Sequence, residues 1–241
     1  MEIIRCENLT KKFGGMKAVD GVSFGINEGE FLSIIGPSGC GKTTVLRLIS
    51  GLEPPTEGRV LLREEEVRGP TKRIGFVFQE PALFPWRTVK RNIEFSPELN
   101  GMSHEEMERT SKEHIELVGL EGFESAYPHQ LSGGMKQRAG LARALAAEPE
   151  ILLMDEPFAS LDALSREEMQ EELFNIWAKE RKTFVLVTHS VDEALYLSDR
   201  IVILTKRPAR IKSIFENSEK KKRESLEMKK EIMAILREEM A

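Results

Sequence analysis

Three glycines, a lysine and a threonine stand at a chemically telling spacing in Gly36-Pro37-Ser38-Gly39-Cys40-Gly41-Lys42-Thr43, with Thr44 following. The pattern G-x-x-x-x-G-K-[ST] lets a loop curl until successive backbone N–H groups face phosphate oxygens. Glycine serves this curl because it enters backbone conformations that side chains resist. A helix starting at the loop adds partial positive charge at its N-terminus. Lys42 is spaced to reach the β- and γ-phosphates of ATP, and Thr43 to offer a hydroxyl to Mg²⁺. Cys40 reads as a small residue inside the loop rather than a catalyst. On that reading, alkylating its thiol blocks nucleotide entry.

A second constellation is Ile151-Leu152-Leu153-Met154-Asp155-Glu156. Four apolar residues and then two acids describe a buried strand whose C-terminal edge presents carboxylates, the edge where open α/β sheets bind ligands. Asp155 is the expected Mg²⁺ ligand, direct or through water, since Mg²⁺ takes few carboxylates and keeps waters. Glu156 is the expected general base or positioner of the attacking water. A third element is Leu131-Ser132-Gly133-Gly134-Met135, opening a helix through Gln137, Arg138, Leu141 and Leu145. A serine and two glycines at a helix start make a further anion site from a hydroxyl, backbone N–H groups and the helix dipole.

The elements that must position these groups alternate between β-rich runs and helical stretches, which implies an α/β fold with a largely parallel sheet. The spacing predicts strands at Ile3–Leu9, Ala18–Ile26, Phe31–Ile35, Gly58–Leu62, Arg73–Phe78, Ile151–Met154, Thr183–Val187 and Ile201–Leu204. Ser103 with Glu106, Ser165 with Glu168, and Ser190 with Glu193 each predict a capping box at a helix start. Past Ser165, helical spacing puts Met169, Leu173, Ile176 and Trp177 on one face. Residues 80–147 hold little strand signal and read as a helical subdomain. Past about 217, Met228, Ile232, Ile235, Leu236 and Met240 fall at helical spacing after the basic run Lys220-Lys221-Lys222-Arg223. That tail reads as an amphipathic helix docked on the domain, with a partner-binding helix as the alternative.

The 241 residues are 40% hydrophobic and 31% charged, with formal net charge −5. This is a globular balance, and its mild acidity gives no electrostatic reason to bind nucleic acid. Two cysteines, Cys6 and Cys40, are too few for a disulfide framework. The first residues show no apolar signal region, and no apolar run reaches the roughly 20 residues that span a bilayer. A membrane role therefore requires docking onto chains that do span.

With Ser132 ahead of the Asp155-Glu156 strand, the sequence resembles the ABC ATPases, whose signature is L-S-G-G. The resemblance covers residues 2 to about 210 and implies a P-loop NTPase (RecA-like) core with an antiparallel β subdomain and a helical signature subdomain. It implies one nucleotide-binding domain over 1–216, helical over about 80–147, with 217–241 as the tail. In that family two domains pair head to tail, which would make Ser132, Gly133 and Gly134 contacts to the ATP of the opposite copy. Met135 stands where the family most often has Gln. Gln79 resembles the Q-loop glutamine, which senses Mg²⁺ and water. Ser160-Leu161-Asp162 resembles the D-loop at the dimer seam, and His189 the switch histidine that contacts the γ-phosphate. Phe13 is the candidate stacker on adenine, with a core or loop role as the alternative.

Gln79 to Val89, Leu131 to Arg138, Thr188 to Leu195 and Arg207-Pro208-Ala209-Arg210 look like the nitrate/sulfonate/taurine importer branch. That likeness implies ATP-driven import through transmembrane permease subunits, indirectly served by an extracytoplasmic solute-binding protein. It implies a homodimer, peripheral to the cytoplasmic face of the membrane. Phe84 and Trp86 would then seat a permease helix, or else pack locally. The rival readings are a soluble ABC ATPase not coupled to transport, an exporter subunit, and a P-loop kinase, against which the signature at Ser132 speaks.

Overall fold

The computed structural model describes residues 1–180, 182–217 and 226–240. The basic run Lys220 to Arg223 lies outside them. The chain forms two compact units, one from 1–71 and 181–241 and the other from 72–180.

In the first unit, β1 (Glu2–Phe13) and β2 (Met16–Asn27) form a long antiparallel hairpin. Both outrun the predicted strands because they close on Gly14 and Gly15, at φ 54° and 88°, the left-handed pair that a two-residue hairpin turn demands. β4 (Glu57–Leu62) pairs antiparallel with β1, and β5 (Glu65–Glu66) with β4. The result is an antiparallel sheet of order β2-β1-β4-β5.

β3 (Phe31–Ile35) lies parallel to β8 (Thr183–Val187) on one side and β9 (Arg200–Leu204) on the other. Every residue of β3 and β8 is buried, so both read as near-continuous apolar runs rather than alternating ones. β10 (Ile211–Glu216) adds antiparallel to β9. It was not among the expected strands. Its residues alternate between half-buried and exposed, so no continuous apolar run marks it.

α1 (Lys42–Ile49) follows β3 and buries Val45, Leu46, Leu48 and Ile49. α7 (Val191–Leu197) starts at Ser190, whose side chain accepts from the Glu193 N–H at 3.3 Å. The expected capping box is only half present. The Glu193 carboxylate accepts from the Thr188 hydroxyl, and the Ser190 N–H donates to Thr188 Oγ1. Thr188, a hydroxyl two residues ahead, wins that donor.

The tail helix α8 (Leu226–Met240) docks on this unit. Ile232 and Leu236 share a core with Ile35, Val191, Ala194, Leu195, Ile201 and Ile203, and Met228, Met233 and Ile235 pack against it. Met240, expected on the same face, is exposed.

The second unit holds β6 (Ile74–Val77) parallel to β7 (Ile151–Asp155). Between them run α2 (Val89–Ile93), α3 (Phe95–Leu99), α4 (His104–Leu117) and α5 (Gly133–Leu145). Among the described residues of 80–147 there is no strand. The capping box at Ser103 and Glu106 is complete. The one expected at Ser165 is not there, because α6 (Ala163–Glu180) starts earlier. Asp162 caps it, accepting from the Ser165 N–H at 3.1 Å and the Ser165 hydroxyl at 2.7 Å. The face of Met169, Leu173, Ile176 and Trp177 is buried as expected.

If the tail helix is part of the core, truncating its most buried residue must cost global or local stability. Ile232 is 0% exposed, so Ile232→Ala is expected to lose about 2–4 kcal/mol in urea denaturation. Ile214→Ala, at 41% exposure, should change stability by under about 0.5 kcal/mol. Equal effects from the two would contradict the docking.

Candidate functional site

The phosphate loop leaves the buried end of β3 and enters α1. Its glycines are tested by what a side chain would meet. A Cβ on Gly41, at φ 124°, would lie 2.8 Å from the Ala18 carbonyl oxygen, and one on Gly36 3.0 Å from that of Leu204. Gly39 sits at φ 70°. Gly41 is the N-cap of α1 and makes no side-chain cap bond, and the first turn carries no acid. No side-chain cap or carboxylate of that turn competes for the N–H groups of the helix start, as an anion site requires.

Lys42 is buried, and its ammonium donates to the Gly36 and Pro37 carbonyls at 2.9 and 3.0 Å. Ser38 is exposed, and Thr43 and Thr44 are half-buried. Cys40 is 1% exposed, and burial raises its thiol pKa above the ordinary value.

His189 joins the loop through strand pairing. The Thr188 N–H donates to the Ile34 carbonyl at 3.2 Å, so exposed His189 emerges beside the strand end that leads to Gly36. Phe13 ends the β1–β2 hairpin at 43% exposure, which removes the core alternative. Its ring lies 5.1 Å from the Lys11 ammonium. Its pair partner Met16 approaches the Arg207 guanidinium at 3.6 Å, and that guanidinium bonds Gly39. The hairpin end is thereby tied to the loop.

In the second unit, Asp155 ends the fully buried β7 and is itself 6% exposed. Glu156 is half-buried at φ 44°. Left-handed backbone at a non-glycine residue is strained by about 1 kcal/mol or more, and such strain clusters at functional sites. Gln79 is exposed just past β6.

Ser132 is the N-cap of α5, its hydroxyl oxygen accepting from the Met135 N–H at 3.2 Å. Ser132 and Gly133 are exposed. A Cβ on Gly133 would lie 3.9 Å from the Ser160 carbonyl, and one on Gly134 3.6 Å from Leu161. The signature and the Ser160-Leu161-Asp162 stretch are therefore adjacent. Ser132, Gly134, Met135, Arg138, Leu161 and Ser165 line a cavity of about 240 Å³. The Asp162 carboxylate, exposed, is held below its usual range by the Ser165 hydroxyl.

Residues 19–159 match the ABC transporter family. An uncharacterized ABC transporter ATP-binding protein of Methanocaldococcus jannaschii is 54% identical over 98% of this chain and 92% of its own length. The chain belongs to the ABC transporter family as an ATP-binding protein. An aliphatic sulfonates import ATP-binding protein of Bacillus cereus is 44% identical over 86% of this chain and 82% of its own. A dimeric ATP-binding cassette in a post-hydrolysis state with ADP and Pi superposes with TM-score 0.79 at 36% identity. The match covers 88% of this chain and 98% of that one. The fold of this ABC cassette is a P-loop NTPase core with an antiparallel β subdomain and a helical signature subdomain, and the chain is an ATPase coupled to transmembrane transport.

The polar partners that hold two of these segments were not among the expected site residues. Buried Asn92 accepts from the Phe84 N–H at 2.8 Å and donates to the Phe84, Arg87 and Thr88 carbonyls, which holds the Phe84–Thr88 loop. That loop presents Trp86 at 71% exposure, and the rings of Phe84 and Phe95 meet tilted at 57°, centroids 4.6 Å apart, beside a groove of about 450 Å³. Arg138 donates to Glu172 at 2.6 Å and to the Val118 carbonyl at 3.1 Å, fastening α5. Burial raises the Glu172 pKa despite that partner.

The burial of Cys40 sets how readily its thiol can be alkylated. A thiol with raised pKa holds less thiolate at any given pH, and thiolate is the reactive form. Iodoacetamide is expected to modify native protein at pH 7.5 at least ~100-fold more slowly than urea-unfolded protein. The rate should still climb at pH values where an exposed cysteine has levelled off. Native and unfolded rates within threefold would place the thiol at the surface instead.

Proposed function

We propose that this cassette works as a homodimer on the cytoplasmic face of the membrane and drives import of a small oxyanionic solute of the nitrate, sulfonate or taurine type. The observation that carries the reading is that both of the glycine-containing motifs open a helix in the manner of an anion site. α1 follows a glycine cap and α5 a serine cap, and neither has an acid in its first turn. Two phosphate-binding ends suit an ATP bound by the Lys42 loop of one copy and the Ser132 helix of the other. The dimeric cassette with ADP and Pi supports the pairing. The sulfonate-importer relative supports the direction and the solute class.

In this reading the phosphate loop Gly36–Thr44 binds the β- and γ-phosphates, Lys42 supplies charge, and Phe13 stacks on adenine. Thr43, Asp155 and Gln79 offer hydroxyl, carboxylate and amide oxygens, hard donors of the kind Mg²⁺ accepts. The bound ion would offset charge on the transferred phosphoryl group. Glu156 takes a proton from the water that attacks the γ-phosphorus, as the bond to the ADP oxygen breaks. His189 contacts the γ-phosphate, and Ser132, Gly133 and Gly134 close over it from the other copy, with Asp162 at the seam. ATP drives closure because it binds the closed pair preferentially. The groove beside Phe84 and the exposed Trp86 suits a helix of a permease subunit, and an extracytoplasmic solute-binding protein delivers the solute.

Glu156→Gln is the decisive variant. It should retain ATP affinity within about threefold, lose about 10²–10⁴ in turnover, and become dimeric with ATP in analytical ultracentrifugation. Wild-type turnover removes Glu156 from the role. Tight ATP binding by a species that stays monomeric at every concentration removes the shared-nucleotide dimer.

A further inference from the structure

We infer that Arg207 is a positioning residue for the phosphate loop, and that the tail helix acts on nucleotide binding through it. This rests on reading Gly36–Thr44 as the nucleotide's phosphate site. Arg207 has no part in that motif and lies far from it in sequence. Yet its guanidinium donates two bonds to the Gly39 carbonyl, at 2.7 and 3.2 Å.

A trans peptide points its C=O and N–H in opposite directions. Fixing the Gly39 oxygen outward therefore fixes the Cys40 N–H inward, where it meets the Pro37 carbonyl at 3.3 Å. Pro37 also accepts from Lys42 at 3.0 Å. The Arg207 guanidinium thus sets the one peptide that couples the outer face of the loop to the carbonyl holding the lysine.

The neighbours of Arg207 are moulded on the loop as well. A Cβ on Gly36 would meet Leu204, and one on Gly41 would lie 3.2 Å from Ala209. The segment from Leu204 to Ala209 backs all three loop glycines. It is anchored at both ends. The Ala209 N–H donates to Ala18 and the Asp20 N–H to Ala209, at 2.9 and 3.0 Å. Arg210 pairs with Asp20 at 2.5 Å. On the other side, the Lys206 N–H donates to Glu239 of α8 at 3.0 Å, and Glu239 also takes Lys212 at 3.1 Å. A continuous path runs from the last turn of the tail helix through Glu239, Lys206 and Arg207 to Gly39. The tail's docking therefore bears on the loop's shape, and the tail is more than a solvated cover.

The test is the ADP and ATP affinity of the full chain by titration calorimetry, with melting curves to confirm folding. Arg207→Ala is expected to weaken both nucleotides by about five- to twentyfold, through the loss of both charge-assisted bonds to an exposed carbonyl. Arg207→Lys, which keeps a donor, should recover most of that. Glu239→Ala should weaken binding by about two- to fivefold, and the double variant should bind no worse than Arg207→Ala alone, as one path requires. Lys42→Ala separates the two ideas. If it loses affinity while Arg207→Ala stays within twofold of wild type, the positioning role is wrong and the phosphate site stands. If Arg207→Lys is no better than alanine, or the Glu239 and Arg207 losses simply multiply, the path is also wrong. If Lys42→Ala binds like wild type, the phosphate-site reading fails and takes this inference with it.

Discussion

A phosphate held by backbone N–H groups imposes a constraint on everything behind the loop that holds it. Aiming N–H groups at a ligand leaves the loop's own carbonyls in need of donors. In this cassette the donors come from three directions. Lys42 serves Gly36 and Pro37, Arg207 serves Gly39, and the Val45 N–H serves Gly41 at 2.9 Å as the first bond of α1. With these carbonyls bonded, the loop presents its N–H groups with less reordering when ligand arrives. The parallel strands on either side of β3 follow from the same need. They hydrogen-bond the strand along both edges, so the loop starts from a fixed point.

How much of this the residues announced depends on the range of the interaction. The loop, the Asp155-Glu156 strand end and the serine cap of α5 are contiguous in sequence, so residue type and spacing are enough to place them. The buried strands β3 and β8 were readable to the residue at both ends, since burial on both faces favours a near-continuous apolar run. β10 was not, because an edge strand needs only alternate residues covered and IKSIFE supplies just Ile211, Ser213 and Phe215 on its inner side. The cap of α6 was misplaced by a competition between two good caps. Asp162 and Ser165 both suit the role, and Asp162 takes it by binding Ser165 itself.

Long-range polar partners were invisible for a different reason. Arg207 and Gly39 are 168 positions apart, and no period or motif relates them. The run Arg207 to Arg210 carried only a family likeness, with no chemistry attached. Asn92 is similar. A lone asparagine in a short helix gives no sign that it will satisfy four backbone groups of the preceding loop, and burial alone reveals it. Structural polar residues of this sort are recognised by what they satisfy.

The two helix starts differ in a way that bears on their proposed roles. Gly41 has no side chain, so no cap competes for the start of α1, and a buried lysine stands beside it. The Ser132 oxygen accepts from the Met135 N–H. The hydroxyl hydrogen is untouched by that bond, since a serine accepts and donates at once. A phosphate oxygen meeting it gains one neutral hydrogen bond, worth about 1 kcal/mol net, plus the field of a helix end, about 0.3–1 kcal/mol when exposed. The Lys42 loop gains a full charge and several N–H groups. On the proposed roles, the loop would keep its nucleotide and the serine end would let go. A closure that must reopen in every cycle requires such a weak grip on one side, released as the γ-phosphate departs.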